Sequence, residues 1–166
     1  LRRGVGVEGA GEGSDGARWG EVGGAELGCG MAGINPGGCD AAAKYRDIAQ
    51  RAVAVHGATL VVSREPADVA GADVIFTDTW ASMGQEAEKA RRIKDFAGFQ
   101  IDQQLVASAP KHAVVLHCLP AYRGLEISNE VMEGPQSLIF QEAKNRLPFQ
   151  KGLLPVLPGR LWGTGW

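Results

Sequence analysis

The chain is 166 residues long, 45% hydrophobic and 22% charged, with a formal net charge of −2. That length suits one domain with a core of its own, and the near-neutral charge speaks against a general nucleic-acid or membrane-surface role. No apolar run approaches the ~20 residues of a bilayer span, which leaves small charged metabolites as the expected ligands.

Three cysteines, Cys29, Cys39 and Cys118, form no Cys-x-x-Cys and no paired framework. Neither a disulfide scaffold nor a zinc site is expected, no cofactor is indicated, and a reducing, cytoplasmic compartment is the default. The sequence opens at Leu1 with no signal-peptide core after it, and is expected to be a piece of a longer chain.

Fourteen of the 24 glycines fall within residues 1–40. With neither a helical nor a strand period to offset the entropy those glycines lose on folding, this stretch is expected to be loose or disordered. Gly-x-Gly-x-x-Gly occurs twice there, at Gly4, Gly6 and Gly9 and at Gly28, Gly30 and Gly33. Neither match follows a clear strand and opens a periodic helix, so both are read as chance rather than as a dinucleotide fingerprint.

Order is expected from Asp40, a helix N-cap, through Tyr45, Ile48, Ala49, Ala52 and Val53 at amphipathic spacing, with Gly57 as the stop. Thr59 to Ser63 reads as a strand, Pro66 to Ala70 as a turn or short helix, and Asp73 to Thr77 as the next strand, running into Asp78. Ser82 with Gln85 is a capping-box pattern opening a helix to about Phe96, with Ala87, Ala90, Ile93 and Phe96 inward. A shorter helix carries Ile101, Leu105 and Ala109. The apolar run from Val114, closed by Pro120, is a buried strand that delivers Cys118 just past its end. Val131-Met132, a Gly134-Pro135 turn and a short strand Ser137 to Phe140 follow. Gln141 to Arg146 then opens a last helix, which Pro148, Pro155 and Pro158 should keep short.

Strand, crossover, strand is the pattern of a parallel α/β sheet, and chemistry in such sheets gathers at the carboxyl ends of the strands. Asp78, Cys118 and Arg146 are placed at that edge, together with the Ser82 to Gly84 helix start, whose free N–H groups suit a carboxylate. An acid for an ammonium, amides for a carboxylate, a thiol beside the reacting group and a guanidinium for a polarised oxygen would suit an amino-acid substrate. Singly, each has a duller reading: a turn-former, a cap, an inert buried thiol, a surface cation. Their convergence raises the functional one. His117 is read as structural, because alternation turns it away from Cys118. His56 and His112 are read as helix-end and loop residues.

Asp78-Thr79-Trp80-Ala81-Ser82-Met83-Gly84-Gln85-Glu86, His117-Cys118-Leu119-Pro120 and Glu142-Ala143-Lys144-Asn145-Arg146 resemble the three C-terminal signatures of the ornithine carbamoyltransferase family, over about Tyr45 to Leu154. The resemblance implies that Asp78 and Ser82 hold the α-amino end of L-ornithine and that Met83 meets its carboxylate through the backbone. It places Cys118 beside the attacking amine, and the Leu119 carbonyl and Arg146 on the carbamoyl group. Transfer would then work by positioning and by favouring the neutral amine, with no covalent adduct to the thiol.

The family's Ser-x-Arg-Thr phosphate loop and His-Pro-x-Gln motif do not occur in the sequence, nor does the asparagine after the first strand of the ornithine domain; Asn35 has other surroundings. Lys144 stands where the family is usually acidic. The fold implied is a three-layer α/β parallel sheet, the Rossmann-like ornithine-binding domain, incomplete at its N-terminus. It would comprise a Gly-rich segment 1–40, the domain at 41–154 and an irregular tail at 155–166.

The implied substrates are L-ornithine and carbamoyl phosphate, with citrulline as product and this chain carrying the ornithine half and inactive alone. Alternatives are a transferase for putrescine or an acylated ornithine, a non-catalytic amino-acid-binding module and, in a eukaryote, a mitochondrial or plastid setting. The family forms homotrimers largely through the other half, so weak or no trimerisation is expected of this chain.

Overall fold

A computed structural model describes residues 3–7, 15–80 and 88–156. In chain order the elements are β1 (Arg3–Val7), α1 (Asp15–Glu26), β2 (Gly30–Ile34), α2 (Ala43–His56), β3 (Thr59–Ser63), a 3₁₀ turn (Pro66–Gly71) and β4 (Val74–Thr77). Then come α3 (Lys89–Asp95), α4 (Gln103–Ser108), β5 (Val114–His117), α5 (Asn129–Met132) and α6 (Ile139–Leu153). The five strands form one parallel sheet in the order β3-β2-β1-β4-β5. The chain winds outward from β1 to β3, returns to β4 and winds out the other way. Right-handed crossovers therefore put α1 and α2 on one face and the later connections on the other. The direction reverses between β1 and β4, which makes the carboxyl ends there the natural ligand crevice.

The sheet is parallel α/β, as the sequence indicates, but it does not lack its leading strand. The expectation of a disordered residues 1–40 fails for Arg3–Val7, Asp15–Glu26 and Gly30–Ile34. β1 occupies the centre, paired with β2 from Arg3↔Gly30 to Val7↔Ile34 and with β4 from Gly4↔Val74 to Gly6↔Phe76. Its backbone groups are satisfied on both flanks, so ladder bonding rather than side-chain pattern supports this Gly-Val-Gly segment. The paired glycines Gly4 and Gly6, and Gly30 and Gly33, lie within strands and not in a phosphate-binding turn.

Gly24 explains part of α1: a Cβ there would come within 2.3 Å of the Met31 sulfur, so its absence lets α1 close on β2. At α2 the expected stop is found, with Gly57 left-handed at φ 67° and its N–H on the Val53 carbonyl. The start differs: Ala42 is the N-cap, and Asp40 instead pairs with Arg64 at 2.7 Å.

The core gathers Ile34, Val69, Ile75, Ile101, Val115, Ile127 and Ile139, all at or below 1% exposure. Each contributes about 1.5–3 kcal/mol relative to remaining exposed. Three local expectations are corrected. Ala90 is exposed and Arg92 is buried in its place on α3, because the guanidinium finds the Glu88 carboxylate and the Trp80 carbonyl. Ser137 to Phe140 is not a strand: Ser137 makes one bridge to Val115, and helix α6 already begins at Ile139. α6 also runs through Pro148, which is exposed, so water can take the Lys144 carbonyl that loses its partner. The capping-box start at Ser82 and the tail beyond residue 156 lie outside the described residues. No helix among the described residues is long and apolar enough to cross a membrane.

Candidate active site

β4 and β5 end side by side, with Thr77 paired to His117. Both are buried, and one step further along each strand the side chains turn to the other face. That register brings Asp78 and Cys118 together at the carboxyl edge beside the β1/β4 reversal. The Asp78 carboxylate accepts the Thr79 N–H at 2.7 Å, and one of its oxygens lies within 4.8 Å of the Cys118 sulfur. Burial, then the hydrogen bond to Asp78, then the charges of Asp78 and Glu142 push the Cys118 thiol up to about 12. Near neutral pH it is a thiol that donates a proton, not a thiolate nucleophile.

After Cys118 the backbone turns sharply. Leu119 has φ 56°, uncommon for a residue with a side chain, and the Leu119-Pro120 peptide is cis. The Leu119 N–H donates to His117 Nδ1 at 2.9 Å, while His117 Nε2 lies 3.2 Å from Glu126 Oε1. Both ring nitrogens of His117 thus face protein groups, and the expectation that alternation turns it away from Cys118 does not hold for the ring, which comes close to the edge. One donor atom from each of Asp78, His117 and Cys118 lies within 4.8 Å of the others. Both ring nitrogens of His117 in this set are engaged by protein groups, Nδ1 by the Leu119 N–H and Nε2 by Glu126.

The third polar group comes from α6. Glu142 accepts the His117 N–H at 3.2 Å, tying the helix start to the end of β5. Arg146 lies one turn on and is exposed, on the Glu142 side of the helix by the i, i+4 relation. Ser82 and Met83 lie outside the described residues. The residues flanking that segment are fixed: Trp80 is 6% exposed and stacks on Phe96 at 5.4 Å, and Arg92 donates both to the Trp80 carbonyl and to Glu88. Asn35 is buried at the end of β2 and accepts from Arg64, which also pairs with Asp40. It belongs to that ion pair.

Sequence reasoning missed Glu126, Glu142 and Arg92. Glu142 stood in a quoted motif one helical turn before Arg146, and that spacing was a usable signal. Glu126 carried none, because it reaches His117 only through the folded loop.

The family model described as aspartate/ornithine carbamoyltransferase, Asp/Orn binding domain, matches residues 22–157. The chain belongs to this carbamoyltransferase family. The ornithine carbamoyltransferase of Wolinella succinogenes is 52% identical over 120 residues, which is 72% of this chain and 39% of that protein. That of Carboxydothermus hydrogenoformans is 42% identical over 158 residues, 95% of this chain and 51% of the relative. Among solved structures, the anabolic ornithine carbamoyltransferase of Campylobacter jejuni superposes with a TM-score of 0.87 at 35% identity, covering 95% of this chain and 52% of that one. The chain therefore spans about half the length of the carbamoyltransferases it matches.

Proposed function

We propose that this chain is the ornithine-binding half of an ornithine carbamoyltransferase, which transfers the carbamoyl group of carbamoyl phosphate to L-ornithine to give citrulline. The observation that carries the reading is the Asp78–Cys118 pair at the sheet's carboxyl edge, a carboxylate beside a protonated thiol, in a chain of this family. Asp78 holds an ammonium of the amino acid, and Ser82 and Met83 complete its α-amino and carboxylate contacts. Cys118, kept neutral, lies beside the attacking amine without competing as a nucleophile. The Leu119 carbonyl and Arg146 take the carbamoyl group. Catalysis is then positioning and electrostatics, and the attacking amine must give up its proton before it can attack.

Support for ornithine over an acylated ornithine comes from similarity: 35% identity to the Campylobacter jejuni ornithine enzyme, against 27% to an acetylornithine transcarbamylase solved with acetylcitrulline. The proposed setting is the cytoplasm, and the chain by itself is proposed not to trimerise; a sharp trimer boundary in sedimentation velocity would overturn the latter.

The phosphate-binding motifs of the family are not in this sequence, so the chain alone holds one substrate of two. The test is citrulline formation from carbamoyl phosphate and L-ornithine, first with the purified chain and then with the carbamoyl-phosphate-binding half of a relative added. The reading expects none from the chain alone and product on complementation, lost with Cys118→Ala. Citrulline from the chain alone would contradict the half-site reading, and none on complementation would count against the transferase reading itself.

A further inference from the structure

The loop from His117 to Glu126 closes on one carboxylate. Glu126 is anchored by its main chain, whose carbonyl accepts the Ile101 N–H at 2.9 Å, and its side chain is fully buried beside the equally buried His117. Oε1 takes both the His117 ring and the Tyr122 N–H. Oε2 has no partner among the described residues, so the hydrogen bonding described for the carboxyl converges on that one oxygen.

The ring's chemistry follows from its other nitrogen. His117 Nδ1 accepts the Leu119 N–H, so it carries a lone pair, and the neutral ring has its proton on Nε2, facing Glu126. Were the proton on Nδ1, two donors would face each other and the Leu119 N–H would lose its acceptor. Leu119 is the residue in the left-handed region, at φ 56°, and the direction of its N–H sets the plane of the Cys118–Leu119 peptide, from which the Leu119 φ leads on to the carbonyl.

We propose that Glu126 is a positioning residue: by accepting from His117 Nε2 it fixes the tautomer whose Nδ1 holds the Leu119 N–H, and so anchors the Cys118–Leu119 peptide, and with it the start of the turn through Leu119, at the carboxyl edge of the sheet. Glu126 touches no reacting atom. Its consequence for the reaction, a Leu119 carbonyl held ready for the carbamoyl group, rests on the transferase reading; the tautomer does not.

The experiment is long-range ¹H–¹⁵N correlation of the ring nitrogens in chain carrying ¹⁵N-histidine, with the Leu119 amide followed in uniformly labelled chain. The native His117 ring should show a protonated Nε2 and a lone-pair Nδ1. Glu126→Gln keeps an acceptor oxygen and should retain both the ring pattern and the Leu119 amide position, whereas Glu126→Ala should lose the single-tautomer pattern and shift the Leu119 amide. A native ring protonated on Nδ1 would overturn the proposal, and so would a Leu119 amide unmoved in Glu126→Ala. Should the alanine variant fail to fold, the native ring and Glu126→Gln carry the test, and loss of the tautomer in the latter would also overturn it. Adding L-ornithine separates the two readings: a native chain with the expected tautomer but no ornithine-induced shifts would overturn the transferase reading and leave the positioning proposal upheld.

Discussion

The Cys118 sulfur and the Asp78 carboxylate meet within 4.8 Å of each other across the ends of two neighbouring parallel strands. The contact is a product of register: with Thr77 paired to His117, the next residue of each strand must meet its neighbour on the opposite face. A carboxylate next to a thiol that keeps its proton gives the edge an acceptor suited to a cationic amino acid.

Alkylation reads the thiol directly. A shift from 9.0 to about 12 lowers the thiolate fraction near neutral pH by about a thousandfold. Cys118 in the native chain should react with iodoacetamide far more slowly than in the chain unfolded in urea, as followed by peptide mapping. Asp78→Asn, which removes a charge that opposes ionisation, should speed the native reaction. Equal rates in folded and unfolded chain would contradict the assignment.

The same shift makes stability depend on alkaline pH. Between the ordinary value of 9.0 and about 12 the unfolded chain has lost the Cys118 proton while the folded chain retains it. This contribution is therefore complete below pH 9.0 and disappears as pH rises through about 12. Urea midpoints should fall more steeply with rising pH in the native chain than in Cys118→Ala; parallel profiles would refute this. Cys39, also raised chiefly by burial, adds a decline of the same sign in both proteins.

Glu21 on α1 gives the opposite kind of test. It is 2% exposed and its Oε2 has no partner among the described residues; burial raises its pKa, Arg46 draws it back and Asp40 adds to the rise. The protonated acid is the favoured buried form, so its contribution is full below the ordinary value of 4.5 and is lost as pH rises through the folded value. Glu21→Gln should raise the melting temperature near neutral pH, with the gain shrinking in acid. A loss of stability near neutral pH would show that the charged carboxylate has a partner it needs.

How legible the molecule was depends on what holds each part. β4 and β5 are short apolar runs ended by Asp78 and by Pro120, and the meeting of Asp78 with Cys118 followed from two parallel strands alone. β1 could not be read, since a central strand of alternating glycines is supported by backbone ladders to β2 and β4 that leave no side-chain pattern. α1 was hidden likewise, its packing on β2 depending on the missing Cβ of Gly24 against Met31. On α3 the apolar period pointed to Ala90, whereas Arg92 is buried through hydrogen bonds that no hydropathy pattern records.

Pro148 is the other place where local propensity lost. It sits inside α6 without an N–H to donate, on an exposed stretch of helix. Pro148→Ala restores the donor and should stabilise the chain by about 1–3 kcal/mol, with added helical signal in circular dichroism. An unchanged or lower melting temperature would show that the proline is matched to a bend the helix needs.

The central claim, that the Asp78–Cys118 edge binds ornithine, is tested most directly by calorimetric titration of L-ornithine and of putrescine into the native chain and Asp78→Asn. A charge-assisted hydrogen bond contributes about 1.5–3 kcal/mol, so the aspartate's loss should weaken ornithine binding by about 10–100-fold. The account predicts a preference for L-ornithine over the diamine that this substitution abolishes. Equal affinity for the two ligands, or ornithine binding untouched by Asp78→Asn, would contradict it.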